Sequence, residues 1–476
     1  MTRSRVLGRV QRGPAGRWLP AALALAGCLV TLTSTASTAQ ATSTAATAAI
    51  TLSPAIGPPT TKVAVHGSGF GSSETVVVRF DAGRVATATT SAAGAFATSF
   101  NVPRPAPPGR HLVTAKGQVS GRSATATFSV RTDWPQFRFG PDHLGSNPYE
   151  NVLGPANVAG LSLDWSVTTG AAIFSSPALA NGVVYDGSYD HNLYAVNAST
   201  GKELWTFKTG NEIYDSPAVA NGVVYVGSED DNLYALNAAT GKKLWSFTTG
   251  GEVYSSPAVL NGVVYVGSFD NNLYAVNAST GKELWAFKTG AAVGASPAVA
   301  NGVVYDGSTD HKFYAVNATT GKELWSFTTG SAVKSPAVSN GVVYVCSLDG
   351  NVYALNAATG GKLWTFTTGG PVGSAPAIAN GVVYVGSKDH NVYALNAATG
   401  KEVWSFTTGR AAKTPAVANG VVYVGSGDDK LYALNAATGT MLWSYTTHGP
   451  VDPSPAVANG MVVESSHDHS IYAFHL

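Results

Sequence analysis

Cysteine is almost absent from this chain. Its 476 residues include two, Cys28 and Cys346, so no disulfide framework holds it together. Charge is scarce as well. Asp, Glu, Lys and Arg make up 12% of the residues and the net charge is +1, about half the usual charged share. Without a basic excess nothing points to nucleic acid, and the surface is left to Ser, Thr, Asn and Gly. The apolar run from Leu19 to Leu32 is too short to span a membrane stably, so no transmembrane segment is expected. No 3.6-residue periodicity appears, and 53 Gly and 24 Pro exclude helical repeats. Neither G-x-S-x-G nor H-E-x-x-H occurs, so no standard nucleophile or zinc motif is present.

What the chain does contain is one stretch, SPAVANGVVYVGSEDDNLYALNAATGKKLWSFTTG from Ser216 to Gly250, repeated with small changes. Its Pro recurs at 177, 217, 257, 297, 336, 376, 415 and 455, eight copies at a period of 39 or 40 residues. Each copy reads as four short strands. SPAVA is the first. Asn221-Gly222 suits a type I′ hairpin, in which both central residues take positive φ. VVYVGS is the second strand, LYALN the third and KLWSFTT the fourth. Four antiparallel strands, eight times over, is the arithmetic of a β-propeller.

The last copy has three strands, and LSLDWSVTTG at Leu161–Gly170 precedes the first full copy. That segment is expected to complete the last blade and so remove two open sheet edges. Trp165, Trp205, Trp245, Trp285, Trp325, Trp364, Trp404 and Trp443 mark the eight fourth strands. If buried, each would contribute about 4–6 kcal/mol gross.

Residues 1–41 read as an export signal: five Arg from Arg3 to Arg17, the apolar core, then Ala39-Gln40-Ala41. Leu25-Ala26-Gly27-Cys28 also matches a lipoprotein box, so a chain anchored at Cys28 is the alternative to a secreted or cell-surface one. Residues 42–49 form a linker. Residues 50–131 carry about seven alternating runs between Gly, Pro and Ser turns, the pattern of an immunoglobulin-like sandwich. His66 and His111 read there as isolated surface or turn histidines. Residues 132–160 lead into the propeller, which occupies 161–476. Cys346 stands where other copies have Gly and reads as a small buried residue.

Two resemblances follow from these residues. Ala235 to Trp245, ALNAATGKKLW, resembles the tryptophan-docking motif of pyrroloquinoline quinone (PQQ)-type propeller repeats, with Asn237 where Asp is more usual. Asp133 to Gly145, DWPQFRFGPDHLG, resembles the lead-in before such propellers. Val65 to Gly71, VHGSGFG, resembles the start of IPT/TIG-type Ig-like domains, usually spacers or adhesion units. The PQQ-type resemblance implies an all-β, eight-bladed propeller but not one function, because that family spans quinoprotein dehydrogenases, assembly scaffolds and sensors.

Comparison between copies places a site. The face carrying the Asn-Gly and Thr-Gly turns is monotonous; variation lies on the opposite face. There stand Glu212, Tyr214, Asp215, Glu229, Asp231, Tyr254 and Phe269 on one side, and Lys334, Lys388, Arg410, Lys413 and Lys430 on the other. These are the candidate binding residues. Asp186, Asp306 and Glu464 replace a strand Val and form a candidate acid cluster, read either as a cation site or as acids reaching solvent at the channel mouth. The Asp of every second turn, followed by His in four copies, reads as turn chemistry rather than metal ligation. By resemblance, a quinoprotein dehydrogenase would need PQQ with calcium and often a vicinal disulfide, and no Cys pair is adjacent here.

The expectation is therefore a monomeric, exported, non-catalytic binding or scaffold protein without cofactor. Its propeller face would recruit a protein, a peptide or a cell-wall glycan. The alternatives are a PQQ-dependent oxidoreductase using calcium and the three acids, and a structural surface protein without a specific ligand.

Overall fold

A computed structural model describes residues 47–476. The proposed leader, its cleavage site and Cys28 lie outside them. Among the described residues no helix is long and apolar enough to cross a membrane.

The first part is a two-layer β-sandwich. One sheet pairs Ala49–Ser53, Lys62–Ser68 and Phe96–Asn101; the other orders Ile56–Gly57, Ser123–Val130, Gly109–Gly117, Thr75–Phe80 and Gly83–Thr89. Alternate residues of Lys62–Ser68 and Thr75–Phe80 point inward, so Val63, Val65, Val76 and Val78 meet Phe100 and Phe128 between the sheets. Ala49–Ser53 is an edge strand that the alternating runs did not announce. His111 also departs from the sequence reading. It is buried, stacked on Phe80 at 4.8 Å, with Nδ1 2.7 Å from Asp81 Oδ2 and Nε2 2.8 Å from the Pro107 carbonyl. His66 is exposed.

Eight four-stranded antiparallel sheets follow. In the second blade the strands are Ala218–Ala220, Val223–Gly227, Asn232–Asn237 and Lys243–Thr248. Asn221 and Gly222 have φ of 51° and 77°, the type I′ geometry expected of the pair. The first three strands are buried almost throughout, while the outermost alternates exposed and covered residues. The reason is position: inner strands are flanked by blades on both sides, and the rim strand faces water.

That alternation corrects the expected worth of the tryptophans. Only Trp165 and Trp404 are buried; the other six are half-buried. Their shared contact is a hydrogen bond. Trp205 Nε1 donates to the Ala238 carbonyl of the next blade at 3.0 Å, and Trp245 repeats this to Ala278. Gly241, at φ +67°, lies against the Trp205 ring, where a Cβ would come within 2.6 Å. Trp443 donates to Leu161 at 3.0 Å, and Trp165 to Ala198 at 2.8 Å, so the belt runs through the joint. Ser162–Thr168 pairs antiparallel with Ser470–His475 and completes the eighth blade. The ring is closed by the early strand, as the repeat count required.

A propeller's innermost strands present a free edge to the axis. Here the lead-in covers it. Trp134 exchanges backbone bonds with Leu179 of the first blade at 2.7 and 2.8 Å. The Pro135 carbonyl accepts from Val219 N–H and Gln136 Oε1 from Val259 N–H. Pro141, Asp142, Leu144 and Gly145 carbonyls then accept from Val299, Val338, Ile378 and Val417. Asn147 Nδ2 finishes on the Val457 carbonyl at 2.8 Å. One short segment thus visits all eight inner strands in order and satisfies backbone groups that would otherwise be unpaired in the channel. Ser146–Asn147 adds a parallel strand beside Ala416–Ala418.

At its centre lies Arg138, fully buried. Its guanidinium donates to the carbonyls of His143, Pro415 and Pro376. His143 is buried beside it; burial, helped by the Arg138 charge, pushes its pKa down to about 3, so the ring is neutral.

Candidate functional site: a bowl at the channel mouth

The face carrying the second turns and the links between blades opens into a bowl over the axis. Phe137 of the lead-in forms part of its floor, and the cavity measures about 200 Å³. Around it runs a belt of hydroxyls from the residue preceding seven of the eight repeat Pro, Ala375 being the exception. Ser176 N–H donates to Ser216 Oγ at 2.9 Å, Ser216 N–H to Ser256 Oγ at 2.9 Å, and Ser256 N–H to Ser296 Oγ at 3.0 Å. Ser296 N–H reaches Ser335 Oγ, Ala375 N–H reaches Thr414 Oγ1, and Ser454 N–H reaches Ser176 Oγ. The hydroxyl oxygens serve as acceptors between blades. Among the described residues their O–H groups have no acceptor, and Ser454 Oγ has no partner at all.

One wall of the bowl is aromatic. Phe174 stacks on Tyr214 with centroids 5.5 Å apart and planes 18° apart. Tyr214 meets Tyr254 at 4.8 Å and 46°, and Tyr254 stacks on Phe269 at 4.5 Å and 15°. Tyr189 and His467 flank Phe174 at 4.5 and 4.0 Å. The opposite wall is basic. Lys413 Nζ is 2.7 Å from Asp452 Oδ1, but Lys334 and Lys388 make no ion pair among the described residues. Lys334 is largely covered; burial, then the Lys388 charge, lowers its pKa. Beyond Lys413 an open groove continues past Arg410, His390 and His467.

The candidate residues therefore separate. Tyr214, Tyr254, Lys334, Lys388 and Lys413 line the bowl, and Phe269 and Arg410 extend it. Glu212 and Glu229 stand half-buried behind the aromatic wall, Glu212 4.0 Å from His191 Nε2. Lys430 begins the strand Lys430–Asn435 and lines neither bowl nor groove. Asp231 occupies a left-handed turn position, φ 67°, shared by His191, His311, His390 and His469 in other copies.

Asp215 is not a surface residue. It is 1% exposed and accepts from Gly227 N–H at 2.7 Å. Ser175 and Ser255 make the same bond to Gly187 and Gly267, so Asp215 substitutes for a structural serine. The turn carboxylates are engaged likewise: Asp230 Oδ2 accepts from Tyr234 O–H at 2.7 Å and Gly210 N–H at 2.6 Å.

The three strand acids do not reach solvent at the channel mouth. Asp186, Asp306 and Glu464 are 1%, 2% and 0% exposed, and none lines the bowl. They also do not form one cluster. Asp186 accepts from Ser465 Oγ across the joint between the first and eighth blades, next to Glu464, whereas Asp306 sits alone in the fourth. Burial raises Asp186 to about 7 and lifts Asp306 and Glu464 well above the usual carboxylate range. Asp306 Oδ2 and Glu464 Oε2 have no hydrogen-bond partner.

Asp306→Val, the residue of most other copies, should stabilise the protein by about 1 kcal/mol at neutral pH: it removes a buried carboxyl whose Oδ2 has no partner and gives up the bond that Oδ1 accepts from Gly307 N–H. The gain depends on pH. Below the unfolded carboxyl's pKa, about 3.9, Asp306 is protonated folded or unfolded and costs least. As pH rises only the unfolded state ionises, so wild-type stability falls while the Val protein lacks that slope. Denaturant unfolding of both proteins at acid and neutral pH checks this; a difference that shrinks toward neutral pH would overturn it.

Ring closure, the tryptophan belt and the repeat define an eight-bladed β-propeller of the PQQ-like type, preceded by an Ig-like sandwich. Residues 162–255 and 388–475 match the family model described as outer membrane protein assembly factor BamB, and 222–415 match that of the beta-propeller of beta-alanine-activating enzyme. Residues 45–130 match a macroglobulin-like domain, so the Ig-like assignment stands while the matched model is not of the IPT/TIG type. Among solved structures the chain is similar to a europium-containing methanol dehydrogenase (14% identity, TM-score 0.64, 72% of this chain and 98% of that one). BamB from Moraxella catarrhalis aligns at 18% identity and TM-score 0.59, over 66% and 100% of the two chains. A computationally designed protein, Ika8, aligns at 21% and 0.61, over 66% and 98%. Identities this low establish the fold alone. No curated protein matches the chain.

Calcium-bound PQQ does not fit the residues present. A bound calcium needs several oxygen ligands converging on one point. Asp186, Asp306 and Glu464 instead turn into blade interfaces, and Asp452, the one carboxylate lining the bowl among the described residues, is tied to Lys413. Among the described residues no group of three His, Cys, Asp or Glu side chains is placed to hold a metal ion. Cys346 is buried and its thiol is pushed up to about 12 by burial, which makes it unreactive.

Proposed function

We propose that this is an exported, non-catalytic binding scaffold. Residues 1–41 direct export, the Ig-like unit is the spacer, and the bowl of the propeller recruits its partner in the cell envelope, a protein, peptide or glycan. One observation carries the proposal: the differences between otherwise near-identical copies converge on one concave surface, with Phe174, Tyr214 and Tyr254 facing Lys334 and Lys388. Aromatic anchors are enriched at recognition surfaces, and unpaired cations opposite them attract an anionic partner. The opposite face repeats Asn-Gly at every blade.

The mature chain, immobilised, is expected to retain a defined component of its own envelope fraction. A Tyr214→Ser/Tyr254→Ser protein should lose it, and an Asn301→Asp protein, altered on the opposite face, should keep it. Retention by all three proteins, or by none, would instead favour a structural protein without a specific ligand.

A further inference from the structure

The bowl is built for a particular kind of ligand. We infer that it holds the acidic residue of a glycan, with the anionic group on the lysines and belt hydroxyls and the sugar face on the aromatic wall. This rests on the binding-scaffold function proposed above and specifies its ligand.

The charge comes first. Lys334 and Lys388 lie close enough for one to disfavour the charge on the other, Lys334 is largely covered, and neither has a carboxylate partner among the described residues. Two like charges held in a concavity favour an anion between them. The hydroxyl belt is the second, independent observation. Every belt oxygen except Ser454 Oγ already accepts a backbone N–H from the neighbouring blade and, among the described residues, has no acceptor for its own O–H, which leaves that proton free to donate into the cavity these residues line. Hydroxyls with a spare proton are ready donors, and here they recur around one rim, where Ser454 Oγ is buried with no partner at all. An anion at the centre satisfies both lysines and hydroxyls.

The remaining features select a sugar over a peptide. A peptide would commonly bind by adding a strand to a free sheet edge, but the lead-in already occupies the inner edges. The aromatic wall consists of two stacked pairs, Phe174 with Tyr214 and Tyr254 with Phe269, turned 46° at the Tyr214–Tyr254 contact. Such a wall gives the apolar face of a sugar ring an aromatic surface to rest against. At about 200 Å³ the bowl is smaller than a drug-sized site and admits about one ring. The groove past Lys413 to Arg410 carries a chain onward under the same positive charge.

Titration calorimetry with the mature protein tests this. The probes are an oligogalacturonate, its neutral methyl ester, a glycerol-phosphate oligomer and a polyglutamate peptide. The oligogalacturonate should bind and the neutral ester should not; binding of the glycerol-phosphate oligomer alone would show an anion site that needs no sugar ring and would overturn the glycan assignment. Lys334→Met/Lys388→Met should weaken binding about ten- to a hundredfold. Lys334→Arg/Lys388→Arg should retain most of it, which separates loss of charge from damage to the fold. Equal binding of the neutral ester, or lysine-dependent binding of polyglutamate alone, would overturn the glycan assignment. If none of the probes binds while the Tyr214- and Tyr254-dependent capture of an envelope component persists, the acidic-sugar ligand fails and the scaffold stands. If that capture is absent too, both fail.

Discussion

Deleting Ser162–Thr168 is expected to leave no soluble, folded propeller. This strand pairs with Ser470–His475 over its whole length, carries Trp165, and follows the Leu161 carbonyl that accepts from Trp443. Without it, Ser470–His475 becomes an open edge in an eighth blade of three strands, rich in Tyr and Phe. Such edges seed association between chains. The loss exceeds one strand. In a closed ring every blade has two neighbours; in an opened one the first and eighth blades each lose an interface, and stability built from neighbour contacts falls at both ends together. Expression of the deleted chain should give aggregates by size-exclusion chromatography, and a synthetic Leu161–Gly170 peptide supplied during refolding should restore part of the soluble monomer. A deleted protein that stays monomeric and melts where the full chain does would show that closure contributes little.

The second large effect is expected at Arg138. The guanidinium is fully buried and donates to the carbonyls of His143, Pro376 and Pro415, so one side chain ties the lead-in to the sixth and seventh blades. Arg138→Ala would leave three buried acceptors short of a donor and a void where the longest side chain of the plug had been. The combined cost is about 3–5 kcal/mol. That lowers the melting temperature by about 5 °C for a domain of this size. Arg138→Lys should recover only part, because an ammonium cannot span the same carbonyls as a planar fork. Calorimetry of the three proteins checks the order. An Ala protein as stable as wild type would mean that the plug is held by its backbone bonds alone.

Legibility differed from one residue set to the next. Asn221-Gly222 was readable as a type I′ turn because the conformation is a property of those two residues and their immediate bonds. The fourth-strand tryptophans were readable as markers of blades but not as half-buried ones. Their cover depends on how far each rim strand is overhung by the next blade. Asp215 stood beside Tyr214 in the sequence and seemed to share its face. In the fold the two point in opposite directions, Tyr214 outward into the bowl and Asp215 inward to the Gly227 amide. The period of two along an extended chain makes neighbours diverge, and no pattern in the repeat says which is outward. The belt serines did leave a signal, a hydroxyl before the repeat Pro in seven of eight copies. Their role required knowing that this position faces the axis.

Strand order, hairpin type, blade number and the donor of the closing strand are local or countable properties. Each copy pairs with itself, and a missing strand at one end must be met by a spare one at the other. The path of Trp134 to Asn147 around eight inner edges, the isolation of Asp186, Asp306 and Glu464 from solvent, and the meeting of Lys334 with Tyr214 across one cavity belong to the closed ring alone. Those residues come from segments far apart in the chain. Their distances are set by curvature, which exists only once all eight blades have packed.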